Sequence, residues 1–475
     1  MLNRKILIIF IITSSCLLSI SLSIFYINNY DSYQLDGIIH IMLKEETLAH
    51  WYKAANILEQ VKNGTSVFLA GDEMFTKPLP QRLVALYAYF TNFDIIEDWE
   101  NYKVSLGGKL PFLVMQSLLY YISLYFLYSQ ISKYFNHIVC LSIVIFLCLE
   151  PTIIQYHSSF WTESIFFSLQ IILLSMILKN DQTKINFFII GLLLGVLFIQ
   201  RSAGIFYIFI VIAYFLFSLE KEKFTKISLI CVPYIIICFL LGMHNYKRAG
   251  IFYVMPTEGK YVMYKYFAKD IIVNSTNKTS QEINKSESKK AILWLEKNLP
   301  EVITERLLEE KSPYGMGTRI EKEKDRIKYY KYINERAYEI IYENPLIVFK
   351  KVINGFLHFS VLNPFFVYFD YEFYKDYSSP EIGDFSFSEK HKDLIPFRII
   401  YSVFIYLISF VGLIVCFKKQ PRITILLLLS ILYYYVLLGW YGKTRLFVPT
   451  LIYMSFFFGY GVTLILNLIK KKLNY

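Results

Sequence analysis

Between Gly71 and Phe90 the chain reads GDEMFTKPLPQRLVALYAYF, a charged, proline-broken passage that runs into an apolar helical stretch. Asp72 and Glu73 are adjacent acids, Lys77 precedes Pro78, and Arg82 follows within a turn or so. A carboxylate close to cations can take a proton from an incoming hydroxyl while the cations stabilise a departing phosphate. Glu45 and Glu46 form a second acid pair at the start of an amphipathic segment, where negative charge also suits a helix N-terminus. Asp72 and Glu46 are therefore both candidates for a catalytic base, with Asp31 and Asp36 in reserve. The plainer reading of each is a solvated surface charge.

Further candidates come later in the chain. Glu163 heads an apolar run in YHSSFWTESIFF, where a carboxylate beside the bilayer is costly unless it is paired or faces a polar cavity. The bland alternative is an acid in a first helical turn, favoured by the helix dipole. Arg201 sits between two apolar runs with almost no loop, and its alternative role is to snorkel to lipid headgroups. Arg445 stands just before the Leu446–Pro449 stretch. The planar guanidinium fork meets phosphate oxygens in bidentate fashion, so Arg201 and Arg445 join Lys77, Arg82 and Glu163 as candidate substrate contacts. His157, His244 and His358 read as structural or interfacial, and there is no HExxH, G-x-S-x-G, Walker or GxGxxG pattern. The six cysteines all lie in apolar runs without metal-ligand spacing. No cofactor is called for, and the sequence leaves a divalent metal open.

These residues must be carried by a membrane scaffold. Of 475 residues, 55% are hydrophobic and 18% aromatic, and only 18% are charged. That composition is an integral membrane protein's. The net charge of +11 is spread over short segments flanking apolar runs, which argues against nucleic acid as a partner. The run from Lys5 to Tyr26 is long enough to span a hydrocarbon core of about 30 Å, and no A-x-A-like site closes it, so it reads as a first transmembrane helix. Further runs fall near 110–130, 137–150, 160–178, 186–200, 203–219, 226–243, 396–417, 422–440 and 446–469, for about ten spans. The expected fold is an all-α polytopic membrane protein. Residues 1–243 form a transmembrane region with a large outer loop at 28–109, residues 244–395 a mainly helical extramembrane domain between the seventh and eighth spans, and 396–475 a second transmembrane region.

Lysines and arginines at 133, 179, 184, 221, 223, 226, 418, 419, 422 and 470–472 mark one face as cytoplasmic, which leaves the two long loops outside. In the first of these, Thr47–Val61 has Leu48, Trp51, Ala55 and Leu58 at helical spacing and is expected to lie on the membrane face. In the second, Thr318 with Glu321 reads as a capping box, with Ile327, Tyr330, Ile333, Ala337 and Ile341 on one face of a helix limited by Pro345. The following stretch, Leu346–Phe369, reads as interfacial. Gly191 and Gly195 form a small-xxx-small pattern suited to close helix packing. Asn63-Gly64-Thr65 and Asn277-Lys278-Thr279 match glycosylation sequons, which matter only in a eukaryotic secretory context.

The order of several motifs resembles the GT-C superfamily of polytopic glycosyltransferases, in particular the protein O-mannosyltransferase and lipid A aminoarabinose-transferase group. The similar marks are a first outer loop with acids followed by TKPLPQRLVALY, then WTESIFF, GLLLGVLFIQRSAG, HNYKRAGIF and TRLFVP. The resemblance implies a polyprenyl-phosphate sugar donor and transfer with inversion. It implies that Lys77 and Arg201, and with them Arg445, contact the lipid phosphate, and that a first-loop acid is the base. The family's early aspartate has Glu45-Glu46-Thr47 in its place here, so Glu46 and Asp72 both stand as the base. Residues 244–395 match no part of the pattern.

The expected protein is thus an inner-membrane transferase acting on the outer, periplasmic face, with a lipid, glycan or protein acceptor. An O-antigen polymerase or ligase shares the multi-span form but places its main outer loop late. A transporter or flippase would carry mid-membrane charges and an internal repeat, and neither is visible.

Overall fold

The computed structural model describes residues 2–30, 45–67, 70, 78–98, 103–104, 106–158, 162–179, 183–219, 221–255, 263–276, 278–361, 394–439 and 444–473. The chain opens with α1 (Leu2–Tyr30), α2 (Glu45–Lys62) and α3 (Pro78–Thr91), then an antiparallel ribbon of β1 (Ile96–Asp98) and β2 (Lys103–Val104). Next come α4 (Leu106–Ile131), α5 (His137–Leu149), α6 (Pro151–Ser158), α7 (Thr162–Leu178), α8 (Lys184–Gln200), α9 (Tyr207–Ser218) and α10 (Lys223–Ala249). A more polar group follows: α11 (Lys269–Thr276), α12 (Ser280–Asn298), α13 (Glu305–Leu308), α14 (Pro313–Arg319), α15 (Glu323–Glu343) and α16 (Pro345–Phe359). The last three helices are α17 (Leu394–Lys419), α18 (Pro421–Leu438) and α19 (Thr444–Lys472).

Among the described residues six helices, α1, α4, α10, α17, α18 and α19, are long and apolar enough to cross a membrane. The remaining expected spans are helical but shorter. The 13 residues of α5 rise only about 20 Å, short of a hydrocarbon core of about 30 Å. These helices nevertheless share one apolar core with the long ones, from Ile8 on α1 to Tyr460 on α19. Its main seams are α17 and α5 against α19, α8 against α10, and α4 against α7. Gly191 and Gly195 serve the packing role expected of them. A Cβ on Gly191 would collide with the Ile230 carbonyl, and one on Gly195 with the Ile237 side chain. Gly412 and Gly461 bring α17 and α19 together in the same way.

The first loop has a core of its own. Ala54, Ala55, Ile57 and Leu58 on α2 pack with Val84, Ala85 and Ala88 on α3, and Phe112, Leu113 and Ile165 join them from the bundle. The apolar face of α2 is thus covered by protein along its described side chains, which corrects the expectation that it rests on the membrane. The ribbon β1–β2 is a second departure from an all-helical loop.

A third cluster unites 263–352 around Tyr264, Leu295, Tyr329, Tyr330, Ile333 and Ile340. The expected face of α15 holds, with Tyr330, Ile333 and Ala337 buried. Its start does not: α15 begins at Glu323 with Lys322 as a cap that makes no side-chain bond, and Thr318 falls within the preceding α14. The capping box that does form joins Thr279 and Glu282 at α12. Among the described residues, polar contacts tie this unit to the bundle. Arg248 Nη2, at the end of α10, lies 2.6 Å from Glu323 Oε1. Tyr406 donates to the Ser360 carbonyl at 2.6 Å while Ser360 Oγ and the Tyr435 hydroxyl are 2.6 Å apart. Leu346, Phe349, Ile353 and Leu357 of α16 stay exposed along one helical stripe, the pattern of an interfacial helix.

Within the unit, Arg336 grips Glu287 with Nε at 2.9 Å and Nη2 at 3.2 Å, and Glu287 is buried. Burial raises the Glu287 carboxyl, but its bonds to Arg336 and Lys290 outweigh that and hold it below the usual carboxylate range. Stability from this pair is therefore present above about pH 4.5 and fades as the pH falls through the lowered value. Replacing Arg336 with Leu is expected to cost about 2–3 kcal/mol at pH 7 and less at pH 4. Hydrogen exchange of α12 and α15 amides in the full-length protein measures both.

Candidate functional site

The charged centre of the described bundle is Glu163 with Arg201. Glu163 occupies the first turn of α7, where backbone N–H groups and the helix dipole favour a carboxylate. Arg201 caps the C-terminus of α8 in an extended conformation and is followed by a 3₁₀ turn at Ser202–Gly204. That break turns the arginine inward. Arg201 Nη1 lies 2.8 Å from Glu163 Oε1, with side-chain exposures of 5% and 1%. The guanidinium also sits 5.9 Å from the Phe166 ring centre. Snorkelling to headgroups is thereby excluded, because the side chain points into protein.

Spacing along α7 organises what surrounds the pair. Glu163, Phe166 and Gln170 follow at i, i+3 and i+7 and so share one face. Gln170 Nε2 donates to the Tyr434 hydroxyl at 2.7 Å and to that of Tyr453 at 3.3 Å. Tyr207 stacks with Tyr434, and its hydroxyl lies 2.8 Å from Ser430 Oγ. A polar ladder thus descends from the ion pair into the bundle. In sequence, these tyrosines are indistinguishable from the many others in apolar runs.

On the adjoining face of α7, Ser164 Oγ is 2.6 Å from His157 Nδ1. The imidazole stacks on Tyr120 at 3.7 Å, and Gln116 and Ser117 both donate to the His157 carbonyl. Burial pushes the ring down to about 3, so it is neutral at physiological pH. The structural reading of His157 fits this setting. Glu150, between α5 and α6, accepts from Thr152 Oγ1 at 3.0 Å and from the Ile153 N–H at 2.9 Å.

The other sequence candidates are placed as follows. Arg82, on α3, is buried and donates from Nε to the Val67 carbonyl at 3.1 Å and from Nη2 to that of Ala70 at 2.9 Å. At least two of its five donors therefore fasten the stretch leading into Gly71 rather than reaching outward. Glu46 lies in the first turn of α2 and Arg445 in the first turn of α19, with side chains outside the described residues. Asp31, Asp36, Asp72, Glu73, Lys77 and Lys443 lie wholly outside them. The expected meeting of Lys77, Arg201 and Arg445 therefore falls there too. Among the described residues no three His, Cys, Asp or Glu side chains gather as a metal site would require.

No family model and no curated protein matches the chain. Solved structures do. The archaeal oligosaccharyltransferase AglB from Archaeoglobus fulgidus, in complex with an inhibitory peptide and a dolichol-phosphate, aligns over 99% of this chain and 52% of its own, with a TM-score of 0.51 and 11% identity. The apo enzyme from the same organism aligns over 98% and 52%, at a TM-score of 0.49 and 10% identity. A form tethered to an acceptor peptide containing the NVT sequon aligns over 97% and 50%, at 0.48 and 11%. The first of these shows a shared fold along almost the whole chain. The chain spans about half the length of these neighbours.

One outcome is expected from this geometry. Removing one member of the buried pair, by Glu163→Gln or Arg201→Met, should destabilise the protein by about 3–5 kcal/mol, whereas the double variant should recover much of the loss. Thermal unfolding in detergent reads this cycle, and simple additivity would contradict it.

Proposed function

We propose that this chain is a GT-C-type glycosyltransferase that moves a sugar from a polyprenyl-phosphate donor to an acceptor hydroxyl on the outer face of the membrane. One observation carries the reading: the near full-length likeness to AglB, whose complex holds a dolichol-phosphate. The buried Glu163–Arg201 pair supports it, since it holds a guanidinium at fixed depth where α7 and α8 meet. The first-loop core reaches the same end of α7 through Ile165.

In this mechanism a first-loop carboxylate, Asp72 or Glu46, takes the proton of the acceptor hydroxyl. The oxygen attacks the anomeric carbon as the bond from that carbon to the phosphate oxygen breaks, inverting the centre. The electron pair leaves on the lipid phosphate, where Lys77, Arg201 and Arg445 balance the growing charge. Glu163 acts as a positioning residue that orients Arg201. Arg82 acts by fastening the loop that carries Asp72 and Lys77. Of the narrower family expectations, the O-mannosyltransferase and aminoarabinose-transferase group remains part of this proposal and awaits a donor assay.

Purified protein supplied with polyprenyl-phosphate sugar separates these roles. Either Asp72→Asn or Glu46→Gln, and only one of them, is expected to abolish turnover while donor binding persists, whereas Lys77→Gln should weaken donor binding and lower turnover by about 10²–10³-fold. Two equally active acid variants would remove both residues from the role of base.

Sidedness has a separate test. Ser66 and Ser286 are exposed, while the six native cysteines are buried or half-buried in apolar helices. Cysteines placed at 66 and 286 should react with a membrane-impermeant maleimide in intact cells. Protection of either would reverse the orientation drawn from the lysine bias.

A further inference from the structure

Helix α16 carries two apolar faces that point in different directions. Ile347, Val348 and Val352 pack on the core of the 263–352 cluster, and Lys351, on the same side, is paired with Asp270 of α11. The second face holds Leu346, Phe349, Ile353 and Leu357, which recur at steps of three and four residues and cover about 80° of the helix. Their exposures are 77%, 65%, 42% and 65%. The solvent side of the neighbouring α15 is instead charged, with Lys331, Glu335 and Glu339 all well exposed. A continuous apolar stripe on so polar a unit calls for a partner.

The place of α16 in the fold indicates which. The ring of Phe356 stacks on Tyr435 at 6.2 Å, and it lies so close to Gly439 that a Cβ there would overlap it. Ser360 Oγ reaches the Tyr435 hydroxyl at 2.6 Å. Tyr435 stands in the last turn of α18, a helix long enough to cross a membrane, and Gly439 closes that helix. The C-terminal end of α16 is therefore moored where a spanning helix ends. Just before that point Leu432 and Val436 of α18 are exposed, as Ile400 and Phe404 are on α17, and in a bilayer such side chains meet acyl chains. Leu357, next to the moored Phe356, brings the stripe to the edge of this lipid-facing wall. The 15 residues of α16 rise only about 22 Å, so it lies along the surface rather than crossing a core of about 30 Å. Lys350 is exposed at the margin of the stripe, and Tyr342, three residues ahead of α16, is exposed too. A lysine stem and a phenol both suit the level of the headgroups, being apolar along their length and polar at the tip.

We propose that the exposed face of α16 seats in the bilayer around the bundle, at the boundary of headgroups and acyl chains. Lipid is then the partner of the 263–361 unit on this side. A second copy of the chain, or residues 362–393, would cover the same face, but neither requires the stripe to reach the level at which α18 leaves the membrane. Continuity with the lipid-facing wall does.

Full-length protein in phosphatidylcholine nanodiscs, with an NBD fluorophore on Phe349→Cys or Leu357→Cys, reads depth through quenching by lipids brominated near the headgroup or near the chain end. Labelled wild type gives the background from the native cysteines, and Glu335→Cys on α15 is the water-exposed control. Quenching is expected at both stripe positions, stronger from bromine near the headgroup, with little at the control. Adding Ile353→Asp to Leu357→Cys puts a charge into the stripe and should lower the quenching by about half or more. Stronger quenching from bromine near the chain end overturns the proposal, since the helix would then lie within the hydrocarbon core. So do stripe probes that neither lipid quenches: protein then covers the face, a second copy where the discs hold two chains and residues 362–393 where they hold one. Quenching that Ile353→Asp leaves unchanged also overturns it. Gel-filtration profiles matching wild type establish that each variant is folded.

Discussion

A carboxylate and a guanidinium buried together among apolar helices constrain everything near them. Leaving water is expensive for each ion, and only close approach in a low-dielectric interior compensates. Glu163 and Arg201 meet that condition because α7 and α8 pack side by side with opposite directions, so the first turn of one reaches the last turn of the other. The break after Gln200 is part of the arrangement, since a continued helix would carry Arg201 around the α8 surface. Close packing elsewhere keeps this register. Gly191 and Gly195 let α10 approach α8 from the other side, and larger residues there would tilt the helix that presents Arg201.

Around that pair the structure separates rigid support from chemistry. The ladder through Gln170, Tyr434 and Tyr453 satisfies polar groups deep in the bundle, and so fixes the rotamers beneath the pair. His157 with Ser164 and Glu150 with Thr152 pin both ends of α6. Arg82 fastens the first loop from within. A proposed donor site at this end would therefore rest on a framework of buried hydrogen bonds, with the reacting groups supplied by loops.

Polar contacts join the 263–361 unit to the bundle, beside the stacking of Phe356 on Tyr435. Arg248 with Glu323 joins it to α10, and Ser360 with Tyr406 and Tyr435 joins it to α17 and α18. Its own core is complete, as the buried Tyr329 and Tyr330 show.

Much of this was legible in the residues alone. Apolar runs of sufficient length must become helices in a bilayer, because no other backbone arrangement satisfies its own hydrogen bonds there. The glycine pair and the α15 face were legible for similarly local reasons, side-chain size and a period of 3.6 residues. The amphipathic pattern of α2 was equally clear, but pattern alone does not say whether protein or lipid covers an apolar face, and here α3 covers it. The same limit applied to charge. The sequence marked Glu163 and Arg201 as costly near a membrane, yet their partnership across 38 positions depends on the packing of α7 against α8. Gln170 and the buried tyrosines gave no sequence signal, since a polar residue in an apolar run acquires meaning only from what faces it. Local periodicity is written in neighbouring residues, whereas the pairing of buried charges is decided by which helices touch.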